Sequence, residues 1–108
     1  MSRIGAMRHR LRLEAPQRVA DGGGGAEIVW QPVAELWAEI APASPRDTVR
    51  AEKISAEVSH RIALRHRDDV TAAMRFRADD RVFDIVAHYD PDERRRRLVC
   101  LVRERLTP

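Results

Sequence analysis

The sequence predicts a mainly β fold: a small antiparallel β-barrel or sandwich of five to six strands, with one helix inserted between the second and third strands. Short runs of alternating apolar and polar residues recur along the chain, which is typical of half-buried strands. Clusters of glycine, proline and aspartate separate these runs. One segment, which begins at Ser44, carries the signals of a helix start. At 108 residues, the chain is predicted to form a single domain, residues 1–108.

The first two strands are predicted on either side of a glycine tract. Residues 9–13 alternate cleanly, and the strand is expected to end at Pro16. Residues 22–25 are four glycines, which lose much backbone entropy when they are ordered, so we expect a mobile loop. The second strand is predicted at about residues 27–40. Pro32 predicts a bulge or break in it, because proline cannot donate a hydrogen bond to the ladder.

The second strand has one face that does not suit a monomer core. Glu35, Trp37 and Glu39 share it, opposite an apolar face. A tryptophan flanked by carboxylates fits an interface between proteins better than a core. We therefore predict these three residues at a subunit interface. The alternative is that Trp37 packs beneath the nearby loop.

A helix is predicted over residues 45–56. Ser44 can cap it, Pro45 suits the first helical position, and Asp47 completes a capping box. The apolar stripe of this helix is thin, so it cannot be anchored firmly in one core. We interpret the helix as an excursion from the barrel that is held by neighbouring molecules or is mobile without them.

The remaining strands are predicted at residues 58–66, around Met74 and Phe76, at residues 82–87 and at residues 98–102. Aspartate-rich turns at 79–80 and 90–93 separate them. The last strand is apolar on both faces and therefore needs cover on both. A partner subunit is a plausible source of that cover, so Val99 and Leu101 are predicted at a subunit interface.

The residues do not suggest catalysis. Cys100 lies inside an apolar strand, where a buried structural thiol is expected. His60 and His66 share a strand face but are separated by roughly 20 Å, which is too far for one metal ion. The acidic pairs lie in turns, without an apolar pocket to adjust their pKa values. The expectation is a non-enzymatic protein with no catalytic residues, no metal and no cofactor. No apolar run is long enough to cross a membrane, and no secretory signal is expected.

The charges are dense and of both signs. Nineteen of the 20 basic residues are arginine and only Lys53 is lysine, yet the net charge is only +3. The bias toward arginine fits GC-rich coding as well as contacts with carboxylates and phosphates. A mixed surface of this kind favours protein partners over a dedicated nucleic-acid groove. Residues 94–97 are four consecutive arginines, and they fit either a solvated strand entrance beside Asp92 and Glu93 or a strand that directs alternate arginines to a partner and to DNA.

Five segments, in this order, look like the phage head–tail joining family. They are Ile4-Gly5 with Arg8-His9-Arg10-Leu11-x-Leu13, Val33-Ala34-Glu35-Leu36-Trp37-Ala38-Glu39-Ile40-x-Pro42, Ala56-Glu57-Val58-Ser59-His60-Arg61-Ile62, Arg81-Val82-Phe83-Asp84-Ile85, and Arg96-Arg97-Leu98-Val99-Cys100-Leu101. Together they cover nearly the whole chain.

The resemblance implies a head-closure, stopper or adaptor protein in a siphophage-like particle, a class that includes gene transfer agents. Such proteins form rings, typically twelve-fold, below the portal. The implied partners are a portal or adaptor ring on the head side, a tail terminator or tail tube on the tail side, and non-specific double-stranded DNA in the channel, with no membrane. The implied location is the head–tail junction of a particle assembled in the bacterial cytoplasm.

In such rings the connection between the second and third strands, here residues 43–57, faces the DNA channel. Arg46, Arg50 and Lys53 are therefore predicted to face DNA, and Arg94, Arg95, Arg96 and Arg97 to contact a partner or DNA. The alternative is a free-standing small basic β-barrel that binds nucleic acid. That function needs exposed aromatic residues for base stacking, and aromatic residues make up only 5% of the chain.

Overall fold

A computed structural model describes residues 7–54 and 56–105. Its elements are, in chain order, β1 (His9–Ala20), β2 (Ala26–Pro42), α1 (Pro45–Glu52), β3 (His60–Arg65), β4 (Arg75–Ala78), β5 (Arg81–Tyr89) and β6 (Arg97–Glu104). The strands close into an antiparallel barrel in the order β1-β2-β3-β6-β5-β4. The predicted fold class, with its helix between the second and third strands, is confirmed. The predicted Ile4-Gly5 motif lies outside the described residues.

The first two strands form a long ribbon whose register shifts once. Leu13 pairs with Ala34, but the next residue, Glu14, pairs with Pro32, so Val33 is left over as a bulge. A bulge accommodates a residue that has no amide hydrogen to give to the ladder. The bulge predicted at Pro32 is therefore confirmed.

Past the bulge the ribbon continues as an arm, which we define as residues 15–31. Here β1 and β2 pair only with each other, because β4 pairs with β1 no further than Glu14 and β3 pairs with β2 only from Ala38 onward. The molecule measures 50 Å along its longest axis and 29 Å along the other two. The prediction that the first strand ends at Pro16 is wrong. Pro16 pairs with Trp30, and proline is tolerated there because both strands of the arm are edge strands.

A hydrogen-bonded turn closes the tip of the arm. The Asp21 carboxylate accepts hydrogen bonds from the amides of Gly23 at 2.8 Å and Gly25 at 3.2 Å. Gly22 and Gly24 adopt φ values of 82° and 86°, in the left-handed region that favours glycine. The glycine tract therefore has a defined turn in this structure, and its predicted mobility stays a prediction.

The barrel interior is filled by apolar side chains. Those with at most 1% of their surface exposed are Leu11, Leu13, Ala38, Ile62, Leu64, Phe76, Phe83, Cys100 and Val102. Phe76 and Phe83 are the largest of them and lie opposite each other on β4 and β5. Burial of one such side chain stabilises the fold by about 1.5–3 kcal/mol. Both phenylalanines belong to the core, so neither offers a ring for base stacking.

The outer face of β6 is covered by the chain itself. Val99 and Leu101 have no exposed surface, and Val58 and Tyr89 pack against them. The guanidinium carbon of Arg50, on α1, lies 4.1 Å from the centre of the Tyr89 ring. The segment between β2 and β3 thus folds back over this face. The prediction that Val99 and Leu101 contact a partner subunit is wrong, because the cover comes from within the chain.

A buried ion pair joins the arm to the barrel. Arg75 Nε donates a hydrogen bond of 2.7 Å to Glu14 Oε1, and the two side chains are only 9% and 6% exposed. The guanidinium carbon of Arg75 also lies over the ring of Trp30, a residue of the arm, at 4.1 Å from the ring centre. Removal of one member of a buried pair costs about 3–5 kcal/mol. The base of the arm is therefore held firmly against β4.

Helix α1 starts as its sequence predicts. Ser44 Oγ accepts a hydrogen bond of 3.2 Å from the Asp47 amide, and the Asp47 carboxylate accepts one of 2.9 Å from the Ser44 amide. This reciprocal capping box is confirmed. The helix ends at Glu52 rather than at residue 56. The amides of Ile54 and Ala56 both bond to the carbonyl of Ala51, so the chain tightens and leaves the helical path.

Candidate functional site

The outer face of β2 carries an exposed tryptophan. Trp37 is 54% exposed, so the alternative that it packs beneath a nearby loop is wrong. Arg10 lies opposite it on β1, with its guanidinium carbon 5.7 Å from the ring centre, and donates a hydrogen bond of 3.0 Å to Glu35. Both members of that ion pair are exposed, so it contributes at most about 1 kcal/mol. These contacts keep the indole ring on the surface, available to another molecule.

Glu39, two residues further along β2, has a different environment. It is half-buried, and its Oε2 atom has no hydrogen-bond partner among the described residues. Arg61 Nε is also buried without a hydrogen-bond partner among the described residues. Arg61 lies opposite Ala41, the next residue of β2 on this face. Of the three residues of this strand predicted at an interface, Glu35 and Trp37 are exposed and Glu39 is partly covered.

A groove opens where β2 and β3 separate, beyond their last pair, Ala38 with Leu64. Its volume is about 700 Å³, and it is lined by Met7, Leu36, Trp37, Leu64, Arg65, His66 and Arg67. Apolar side chains thus form its floor, and basic side chains form its rim. This groove could not be predicted from the sequence, because its two sides are brought together only by the pairing of β2 with β3.

Asp68 pairs with two basic side chains beside the groove. Its carboxylate lies 2.8 Å from His66 Nε2 and accepts a hydrogen bond of 2.8 Å from Arg95. The hydrogen bond with His66, followed by the charge of Arg95, lowers the pKa of Asp68 below its usual range. Asp68 is not among the residues predicted from the sequence. The only sequence signal for it is an Asp-Asp pair directly after a basic strand end.

The four consecutive arginines lie mostly in a turn. Only Arg97 belongs to β6, so the prediction that a strand sends alternate arginines to opposite sides is wrong. Glu93 and Arg95 adopt φ values of 58° and 57°, and these left-handed residues coil the chain instead of extending it. Arg96 donates a hydrogen bond of 2.8 Å to Asp92, which lowers the pKa of Asp92.

The basic residues of α1 and of its C-cap are not neutralised in this way. Arg46, Arg50 and Lys53 follow the spacing i, i+4, i+7 and line one side of a surface hollow. Among the described residues, no carboxylate lies within ion-pair distance of any of the three. All three residues are exposed, and the guanidinium of Arg50 in addition stacks on the ring of Tyr89. Val49, between them, is 53% exposed.

The described residues offer little for catalysis. Cys100 is fully buried, and burial raises the pKa of its thiol to about 12, so it is not a nucleophile at neutral pH. Residues 7–54 and 56–105 contain no group of three or more histidine, cysteine or acidic side chains that could hold a metal ion. Within the same residues, α1 is far shorter than a membrane-crossing helix, and no helix has the length and apolarity required to cross a bilayer.

Comparison with known proteins identifies this type of barrel. A solution structure of protein SF1141 from Shigella flexneri 2a matches with a TM-score of 0.74 and 28% sequence identity, covering 95% of this chain and 96% of that one. A chain from the virion of a native gene transfer agent particle matches with a TM-score of 0.65 and 28% identity, covering 93% of this chain and 96% of that one. No curated protein sequence matches.

The family comparison covers almost the whole chain. The family model described as phage head completion protein matches residues 2–105, which include the barrel, the arm and α1. The family is one of structural phage proteins, and the gene transfer agent match is itself part of a particle. The resemblance predicted from the ordered motifs is confirmed: the chain belongs to the phage head completion protein family.

Proposed function

We propose that the chain is a subunit of the connector ring between the head and the tail of a phage-type particle, where it closes the DNA-filled head and docks the tail. The observation that carries this proposal is the family match over residues 2–105, together with the fold shared with a chain of a gene transfer agent virion. A closed barrel is well suited to a ring wall, because its paired strands leave few free edges for unwanted association.

The ring contacts are proposed on the outer face of β2. Trp37, which is 54% exposed, is the largest apolar side chain exposed on this face. Glu35 and Arg10 supply charges beside it. Tryptophan flanked by polar residues is the usual composition of an interface anchor. The neighbours on the two sides of the ring would be the portal or adaptor ring and the tail terminator or tail tube. A twelve-fold copy number fits the portal symmetry implied by the family resemblance.

The DNA-facing surface is proposed on α1. Arg46 and Lys53 are exposed and have no carboxylate partner among the described residues. In one subunit they provide few phosphate contacts. A ring multiplies them by the number of subunits, which gives a basic belt able to hold DNA without reading its sequence. The arginines of the turn before β6 are proposed as contacts to a neighbouring protein.

The direct test is to produce particles without this chain and to complement them in trans. We expect filled heads that neither keep their DNA nor attach tails, and rescue by the wild-type chain. An antibody against a tag on the chain should label the head–tail junction in electron micrographs. Normal tailed particles in the absence of the chain, or label on the capsid shell or the tail tip, would overturn the proposal.

A further inference from the structure

We propose that the arm of one copy docks in the groove beside Trp37 of a neighbouring copy, where it adds a strand to the free edge of β2. The inference depends on the proposed function in one respect only, namely that several copies lie side by side in a particle. It names the contact that would link them, which neither the family match nor the barrel itself specifies.

The arm is a surface that lacks a partner in the single chain. It exposes Val19 at 40% and Ile28 at 49%, and both strands pair only with each other over its length. A two-stranded ribbon is marginally stable in water unless another surface covers one face. Its strands also present unpaired backbone groups along both edges, which is the usual template for pairing with another chain.

The groove supplies the matching surface. Up to Trp37, β2 pairs with β1 along one edge and with no described strand along the other. The groove lies at that unpaired end, with Leu36 and Leu64 at its floor. An added strand would satisfy the backbone groups of β2 while its alternate side chains enter the apolar floor. Strand addition of this kind gains affinity from the backbone and specificity from the side chains.

Charge favours a second copy of this chain as the occupant. Glu27, on the arm, is exposed and has no ion-pair partner among the described residues. Arg65, on the groove rim, is likewise exposed, and no described carboxylate pairs with it. The donor and the acceptor thus carry opposite charges that stay unmatched within one copy. Opposite charges fix the register and orientation of a contact.

The arm does not reach its own groove. The Glu14–Arg75 ion pair and the stacking of Trp30 on Arg75 hold the base of the arm against β4. The groove is lined by the same strand only a few residues further on, at Leu36 and Trp37. A ribbon held at its base cannot fold back over so short a distance, so the contact is between copies.

Cross-linking in assembled particles tests this contact. Val19→Cys places a thiol on the arm, and Arg67→Cys places one in the groove lining without removing Arg65. The native Cys100, fully buried with a thiol pKa of about 12, stays unreactive. We expect a short bis-maleimide to give a ladder of dimers, trimers and larger multimers of this chain in the double variant. Each single variant should give no ladder. A cross-link from the arm to a different particle protein, or no ladder in tailed particles, would overturn the inference.

Charge reversal gives a second measurement. Glu27→Arg and Arg65→Glu, made singly, should each lower incorporation of the chain into particles by about tenfold, the value of one lost ion pair at an interface. The two together should restore it. Glu52→Arg, an exposed reversal on α1, serves as the matched control and should incorporate normally. Circular dichroism on each isolated subunit shows whether it is folded. If the double variant incorporates no better than the singles, while all are folded, the inference fails.

These outcomes separate the inference from the proposed function. If the particles give a multimer ladder but the label on the chain lies away from the head–tail junction, the arm contact is supported and the proposed connector function is rejected. If the label lies at the junction but no ladder forms, the connector function is supported and the arm contact is rejected.

Discussion

Two basic regions of the molecule differ in how their charges are balanced. The turn before β6 contains the densest run of arginine in the sequence, yet Asp68 and Asp92 neutralise Arg95 and Arg96 within 3 Å. Helix α1 and its C-cap Lys53 together carry only three basic side chains, and the described residues supply no carboxylate partner for any of them. A run of like charges in a sequence therefore does not measure the net charge that a partner contacts.

The physical reason lies in backbone geometry. In the turn, the Asp90 and Asp92 carboxylates also accept hydrogen bonds from the amides of Arg95 and Arg94, at 2.7 Å and 3.1 Å. The same acids therefore shape the turn and offset its charge. On α1, the acidic residue of the first turn, Asp47, is occupied by the capping box. Four predictions, in order of decreasing effect, test whether this contrast governs function.

Reversal of the exposed charges on α1 should have the largest effect. In particles that carry Arg46→Glu with Lys53→Glu, we expect retained DNA to fall by at least about tenfold, because each copy loses two phosphate contacts. Quantitative PCR of nuclease-protected DNA measures this. The matched comparison is Arg94→Glu with Arg95→Glu, which makes the same change in net charge. Because these arginines are proposed to contact a neighbouring protein rather than DNA, we expect this variant to lower tail attachment and to leave the DNA retained in heads near the wild-type level. Equal losses in both variants would abolish the contrast between the two regions.

Removal of the acids around the turn should expose its charge. The isolated wild-type subunit is expected to bind DNA weakly, with a Kd around 10⁻⁴ M or worse at physiological salt. Asp68→Asn with Asp92→Asn should strengthen binding about three- to tenfold and steepen its salt dependence. A titration by fluorescence anisotropy at several salt concentrations tests both. Micromolar binding by the wild-type subunit would instead favour the free-standing nucleic-acid-binding module.

The stacking of Arg50 should distinguish it from Arg46 on the same helix and from Lys53 at its C-cap. Arg50→Ala removes the contact with Tyr89 and should lower the free energy of unfolding by about 0.5–1 kcal/mol. Arg46→Ala should leave it unchanged within error. Urea denaturation followed by circular dichroism measures both. A loss of the same size in Arg46→Ala would mean that the whole basic face of α1 packs against the barrel.

Acid should weaken the turn region slightly. The pKa values of Asp68 and Asp92 are lowered, chiefly by the hydrogen bonds with His66 and Arg96, from an ordinary value of 3.8. A carboxylate with a lowered pKa in the folded state stabilises the fold above its ordinary value, and this stability is lost as the pH falls through the lower, folded value. The wild type should therefore lose stability below about pH 4, and Asp68→Asn with Asp92→Asn should lose less. Melting temperatures from pH 7 to pH 3 test this, and parallel curves would contradict it.

Structural features that depend only on residues close together in the sequence could be predicted. The capping box depends on Ser44, Pro45 and Asp47 alone, and the bulge follows from the missing amide hydrogen of Pro32. The exposure of Trp37 also followed from its carboxylate neighbours. These predictions succeed because the interactions involved lie within a few residues of each other.

Features that depend on distant contacts could not be predicted. From the sequence, Val99 and Leu101 were predicted to contact a partner subunit. The residues that cover them, such as Tyr89 with Arg50 stacked on it, belong to other parts of the chain and cannot be identified from the strand itself. The length of the arm is set by where β3 and β4 stop pairing, which no single strand pattern encodes. The groove and the Asp68 cluster likewise join segments that are far apart in sequence; Arg95 follows Asp68 by 27 positions.

The position of β6 affects how the chain folds as it is made. It follows every other strand in sequence, yet it lies between β3 and β5 in the barrel and contributes five consecutive buried residues, Leu98 to Val102. At about 5–20 residues per second, a ribosome takes a few seconds to add the roughly 40 residues that separate the end of β3 from the end of β6. Throughout that time β3 and β5 lack their shared neighbour, and the barrel cannot close. Folding therefore follows synthesis of this domain, and the nascent strands are open to wrong pairing until β6 has emerged.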